Sequence, residues 1–180
     1  MPDQSNKKNK GFTIVESLVA ITILVMVVVS ASRAVQTGIS AYIFSKDQII
    51  AFYLAQEAFE QIRNLRDENA LSVGGHWLAG ISENAGNPCW FGNNCYVDTI
   101  NSNGTGIGPY SCGGACQPLR QQATSNFFGY NGTWAATIFT RTITLTQANA
   151  NEITVLVTVD WSKGGTPKQF RAKENLLNWQ

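Results

Sequence analysis

Hydrophobic and polar positions divide the chain into stretches with different periods. From Leu18 to Val29 the sequence reads LVAITILVMVVV, with Thr22 as its polar position. Extended to Phe12–Ser32, the apolar stretch covers 21 residues, about 31 Å as a helix and enough to cross a bilayer core of ~30 Å. Its many β-branched residues would favour a strand in water. In lipid an isolated strand leaves its backbone unsatisfied and a helix does not, so a transmembrane helix is predicted over residues 12–32. Downstream, no proline occurs before Pro88, and Val35, Ile39, Tyr42, Ile43, Ile50, Leu54, Ala58, Ile62 and Leu65 recur at three-, four- and seven-residue steps. That paints one apolar helical face over residues 33–68. Arg33, Lys46, Asp47, Gln56, Glu57, Glu60, Arg63, Arg66 and Asp67 take much of the remainder. Glu60 and Arg63, or Arg63 and Asp67, are spaced for surface ion pairs, and Gly38 is a soft point in the helix.

Between residues 69 and 132 the periodicity disappears. Glycine and asparagine are dense there, with Pro88, Pro109 and Pro118 among them. So long an irregular segment needs a staple, and all four cysteines fall inside it: Cys89, Cys95, Cys112 and Cys116. Period-two alternation returns over residues 133–180. Ile153, Val155, Val157, Val159 and Trp161 alternate with Thr154, Leu156, Thr158, Asp160 and Ser162, a half-buried strand. Phe139, Ile143 and Leu145 suggest a strand before it, with Arg141 interrupting the apolar side, and Lys168–Leu177 a weaker one after it. The connections at 147–151 and 163–167 are rich in turn formers, so the strands should run antiparallel. The predicted fold is α+β: a long N-terminal helix packed on a C-terminal meander of three to four strands, with a cysteine-stapled insert.

Composition narrows the function. Thirteen Lys and Arg against twelve Asp and Glu give a net charge of +1, and charged residues make up 14% of the chain, against about 25% in an average soluble domain. A basic surface for nucleic acid is absent from this balance. One histidine and two methionines leave little for a metal site or a catalytic triad. No catalytic residue, metal ligand set or cofactor is expected.

The N-terminal flank changes the picture most. Residues 1–11, MPDQSNKKNKG, set Lys7, Lys8 and Lys10 against Asp3 ahead of the apolar stretch, which predicts a cytoplasmic N-terminus and an exported remainder. A cleaved secretory signal is the competing reading, with Ser30-Ala31-Ser32 as its processing site. Against it stand the unbroken helical pattern and a carboxylate, Glu16, within the apolar segment. A charge in the hydrocarbon costs ~2.5–3.5 kcal/mol on insertion scales. Glu16 either snorkels to the near interface or meets a cation at the same depth.

The string Lys10-Gly11-Phe12-Thr13-Ile14-Val15-Glu16-Ser17-Leu18-Val19-Ala20 resembles the prepilin peptidase site of type IV pilins and type II secretion pseudopilins. The resemblance implies cleavage between Gly11 and Phe12, N-methylation of Phe12, and registration of subunits by Glu16 against the N-terminal amine of a neighbour. Ala51–Asn69 and Glu174–Trp179 are similar to the helix end and C-terminus of minor pilins of the I/V subclass. The implied protein is a structural subunit, minor rather than major, of a type IV pilus or type II secretion pseudopilus. Its partners would be the prepilin peptidase, other pilin or pseudopilin subunits, an inner-membrane assembly platform and the lipid bilayer, with no nucleic acid. Its place would be the inner membrane as a single-pass protein, then a periplasmic or extracellular filament. Without the leader, three lysines and one aspartate are lost, leaving ten cations against eleven anions. The alternative is a filament-tip binding module that uses the stapled loop for adhesion, DNA or secreted cargo.

Export favours oxidised cysteines. Local pairing, Cys89–Cys95 with Cys112–Cys116, is the expectation; nested pairing, Cys89–Cys116 with Cys95–Cys112, stays open, and a four-cysteine zinc site departs from the usual C-x2-C spacing. His76, Trp77, Trp90 and Phe91 either line a binding surface or cover the helix and sheet. Asn103-Gly104-Thr105 and Asn131-Gly132-Thr133 match a glycosylation pattern but read better as turns.

Overall fold

The computed structural model describes residues 11–72, 74–102 and 104–178. Residues 1–10 of the basic leader, Asn103 and Trp179 lie outside the described residues. One helix, α1 (Ile14–Leu71), is followed by seven strands: β1 (Asn94–Asp98), β2 (Gly108–Ser111), β3 (Pro118–Gln121), β4 (Phe128–Gly129), β5 (Ala135–Asn149), β6 (Glu152–Lys163) and β7 (Thr166–Leu177). The helix is continuous through Gly38 and stops four residues beyond Asp67. The chain forms two compact units, the first ending at Lys46 and the second running from Asp47 onward.

In the first unit every described side chain but Ile43 is exposed. It is a single helix whose apolar residues clothe all sides, the profile of a segment that needs lipid or neighbours around it. The hydroxyls of Thr22, Ser30 and Ser32 in its apolar stretch are satisfied within the helix. Thr22 donates to the Val19 carbonyl (2.8 Å), Ser30 to Met26 (2.8 Å) and Ser32 to Val28 (2.9 Å). These polar groups therefore bring no unmet hydrogen bond into an apolar surrounding. The helix is long and apolar enough to cross a membrane.

The second unit packs residues 47–71 of α1 on one antiparallel sheet. β5 is its longest strand, paired with β6 along one edge, while β1 and β3 share the other. β2 extends β1, β4 extends β3, and β7 pairs with β6. The meander β5–β6–β7 is the part the alternation predicts. The turn between β6 and β7 is Gly164-Gly165, both at positive φ (58° and 76°), as a two-residue hairpin loop between paired Lys163 and Thr166 requires. The four short strands come from the region that reads as irregular. At two to five residues each they are too brief to display alternation, and β5 and the disulfides hold them in place.

Ala51, Leu54, Ala58 and Ile62 of α1 bury against Ile143 and Leu145 of β5 and Ile153, Val155, Val157 and Val159 of β6, with Val97, Leu119 and Leu176 closing the core. The predicted apolar face is present from Ile50 to Leu65. Two of its expected polar neighbours are buried: Asp47 beside Lys163 Nζ (3.5 Å), and Arg66 between Asp67 (2.7 Å) and the Leu177 carbonyl (3.2 Å). Arg63 pairs with Glu60 (2.8 Å) and across to Glu174 on β7 (2.7 Å), while Asp67 is taken by Arg66. The hydrogen bond to Glu174 is the main cause of a raised Arg63 pKa.

Candidate functional site

The N-terminal segment places its residues simply. Gly11, Phe12 and Thr13 precede the helix, and Phe12 is 79% exposed. Thr13 caps α1: its hydroxyl accepts the Glu16 N–H (3.3 Å) and its carbonyl accepts the Ser17 N–H (3.1 Å). Glu16 thus stands in the first turn, where the helix N-terminus favours a carboxylate. The signal for this cap, Thr-x-x-Glu at the head of an apolar run, is in the sequence, although reading Glu16 alone misses Thr13. The Gly11–Phe12 bond lies outside the helix. Glu16 follows one turn into the apolar surface, the sole ionisable side chain from Phe12 to Ser32.

The cysteines pair locally. Cys89–Cys95 and Cys112–Cys116 are disulfides, with Cα atoms 5.2 and 4.6 Å apart. Cys95 lies on β1, opposite Ser111 of β2. The Cys112 N–H donates to the Asn94 carbonyl (3.1 Å), so the two links brace the same hairpin. All four sulfurs are bonded in these two pairs.

Arg141 is the residue the sequence misrepresents. It interrupts no apolar face: it is 1% exposed and joins α1 to the sheet. Nη1 donates to the Leu54 carbonyl (3.0 Å) and to Glu57 Oε2 (2.9 Å), and Nη2 donates to the Val97 carbonyl (2.7 Å). Glu57 also accepts the Thr99 hydroxyl. The Tyr130 hydroxyl, buried beside the guanidinium, interacts with it without a well-formed hydrogen bond. Burial raises the Tyr130 pKa against the opposing pull of Arg141. For Arg141 itself burial lowers the pKa, but Tyr130 and Glu57 outweigh it and the net direction is up. The guanidinium is permanently charged and its task is to hold elements together.

The aromatic set divides. Trp77 is buried in the core, whereas Trp90 and Phe91 are half-buried with ring centroids 5.2 Å apart. With His76 they line one cavity.

Residues 6–32 match the model of the prokaryotic N-terminal methylation motif, the signature of type IV pilins and pseudopilins. No curated protein and no solved structure matches the chain.

Proposed function

We propose, from the pilin and pseudopilin signature at residues 6–32, that this chain is a filament subunit, and a minor one, of a type IV pilus or type II secretion pseudopilus. A prepilin peptidase cuts after Gly11 and methylates Phe12. The apolar helix holds the subunit in the inner membrane until an assembly platform moves it into a bundle of like helices. There Glu16 compensates the N-terminal amine of an adjacent subunit, and the exported domain faces the periplasm or the outside. The work is mechanical and turns over no substrate. The minor role rests on the strings Ala51–Asn69 and Glu174–Trp179. The single observation that carries the reading is the matched motif, with Gly11–Phe12 ahead of a helix whose first turn bears Glu16 and whose apolar side chains are uncovered.

The test is mass spectrometry of the chain produced with and without a prepilin peptidase. The mature form should begin at methylated Phe12. Retention of residues 1–11 in the presence of the peptidase, or a terminus near Ala34, would overturn it.

A further inference from the structure

Two hollows lie side by side in the second unit, where the segment after α1 meets the turn from β5 to β6. One, of 140 Å³, is walled by Ser82, Glu83, Trp90, Phe91 and Gln147. The other, of 270 Å³, runs on to Gly75 and Asn178. His76, Trp77 and Ala150 line both. Folding alone leaves two polar groups here unused. Ser82 is 1% exposed and its hydroxyl has no hydrogen-bond partner, in a class of groups that native proteins almost always pair. His76 accepts the Leu78 N–H on Nδ1 (3.1 Å), which puts the proton of the neutral ring on Nε2 and leaves that atom a donor.

The walls are fixed in advance. Trp90 follows disulfide-bonded Cys89, whose N–H donates to the Ile81 carbonyl (3.1 Å), and the Gly92 N–H donates to the Leu145 carbonyl (2.9 Å). The Asn69 amide, at the end of α1, donates to the carbonyls of Trp77 (3.3 Å) and Ala79 (2.8 Å). A groove held this way binds without first being ordered.

We infer that this groove binds a neutral saccharide, one ring in each hollow. Each hollow is smaller than the ~300–1,000 Å³ of a site for a drug-sized ligand and suits a single ring. Tilted, partly buried Trp90 and Phe91 offer apolar ring surface of the kind that packs on the C–H face of a sugar. Around them stand a fixed donor in His76, a carboxylate acceptor in Glu83 and both functions in the Gln147 amide. Such mixed pairing suits vicinal hydroxyls, each of which donates and accepts. No lysine or arginine is among the described lining residues, so phosphate and other anions lack a counter-charge there. The inference does not depend on the filament reading, because binding is measured on the separate chain.

The experiment uses the full chain in lauryldimethylamine oxide micelles, since a glycoside detergent would compete. Maltotriose, cellotriose, mannotriose, galactotriose and triacetylchitotriose are titrated while tryptophan fluorescence and indole N–H shifts are followed. At least one should saturate at about millimolar concentration or below, and Trp90→Ala and Gln147→Ala should each weaken it about tenfold. Gln147 is exposed, so its variant keeps the fold, and near-ultraviolet circular dichroism checks Trp90→Ala. Failure of all five to saturate, or saturation that neither substitution weakens, would overturn the assignment, whatever the outcome of the Phe12 test.

Discussion

Arg141 satisfies two main-chain carbonyls on different elements, Leu54 on α1 and Val97 on β1, and one carboxylate, Glu57. No aliphatic side chain replaces that. Arg141→Met keeps most of the volume but takes the guanidinium N–H from the Val97 carbonyl, a loss of about 1–3 kcal/mol for a buried acceptor, and the cation from Glu57, while the Leu54 carbonyl keeps its helical donor. The variant is expected to lose about 2–3 kcal/mol, less than a fully buried pair because Glu57 is partly exposed, read from urea unfolding of the full chain in micelles; a loss below about 1 kcal/mol would mean the contacts are incidental. In the sequence Arg141 is a blemish in an alternating strand, because a period tells which face a residue takes and not what waits there. Its three acceptors lie 44, 84 and 87 residues away. Asp47 and Arg66 are misread for the same reason: their partners Lys163 and Leu177 are far along the chain.

Among the elements, those with a sustained period are the legible ones. α1 and the meander β5–β6–β7 are long enough for 3.6- and 2-residue patterns to repeat, and their connections carry turn residues. β1 to β4 are short and defined by pairing, so nothing local marks them. The disulfides stand in for the missing pattern. Replacing Cys89 and Cys95 together by serine should cost about 2 kcal/mol in the chain-entropy model, and more in fact, since both sulfurs are fully buried and serine would carry hydroxyls into that space. Replacing the partly exposed Cys112 and Cys116 should stay near about 2 kcal/mol. Thermal unfolding of both pairs of variants checks the order; a reversed order would place the core of the insert at the outer link. The candidate site shows the same contrast. Gly11, Phe12 and Glu16 form a contiguous motif and are readable, while the groove beside Trp90 draws on segments that only the fold assembles.

On the scale of the whole molecule, the proposed function gives the first unit the task of anchoring and the second that of display. Glu16→Ala is expected to enter the membrane at least as well as the parent, because removing a carboxylate from the apolar segment favours partitioning by about 2–3 kcal/mol. Filament incorporation should fall, since an adjacent amine left without its counter-charge costs on the order of 3–5 kcal/mol. Glu16→Gln should be milder, as the amide oxygen still accepts a hydrogen bond. Membrane-fraction and sheared-filament amounts, compared in one strain, decide it; equal incorporation of all three would reduce Glu16 to a snorkelling residue. The wide separation of partners within the second unit has a further bearing on how the protein is made. The polypeptide is synthesised from its N-terminus, so the buried stripe Ala51–Ile62 emerges long before β5 and β6, which cover it. The pins from Arg63 to Glu174 and from Arg66 to Leu177 span 111 residues. Contacts of such range form slowly, and a nascent chain with an uncovered apolar stripe is prone to stick to its neighbours. The twelve residues of β7 emerge last and carry the far ends of both pins, so an interrupted chain that lacks them would keep β5 and β6 over the stripe but lose Glu174 and Leu177 as partners of Arg63 and Arg66.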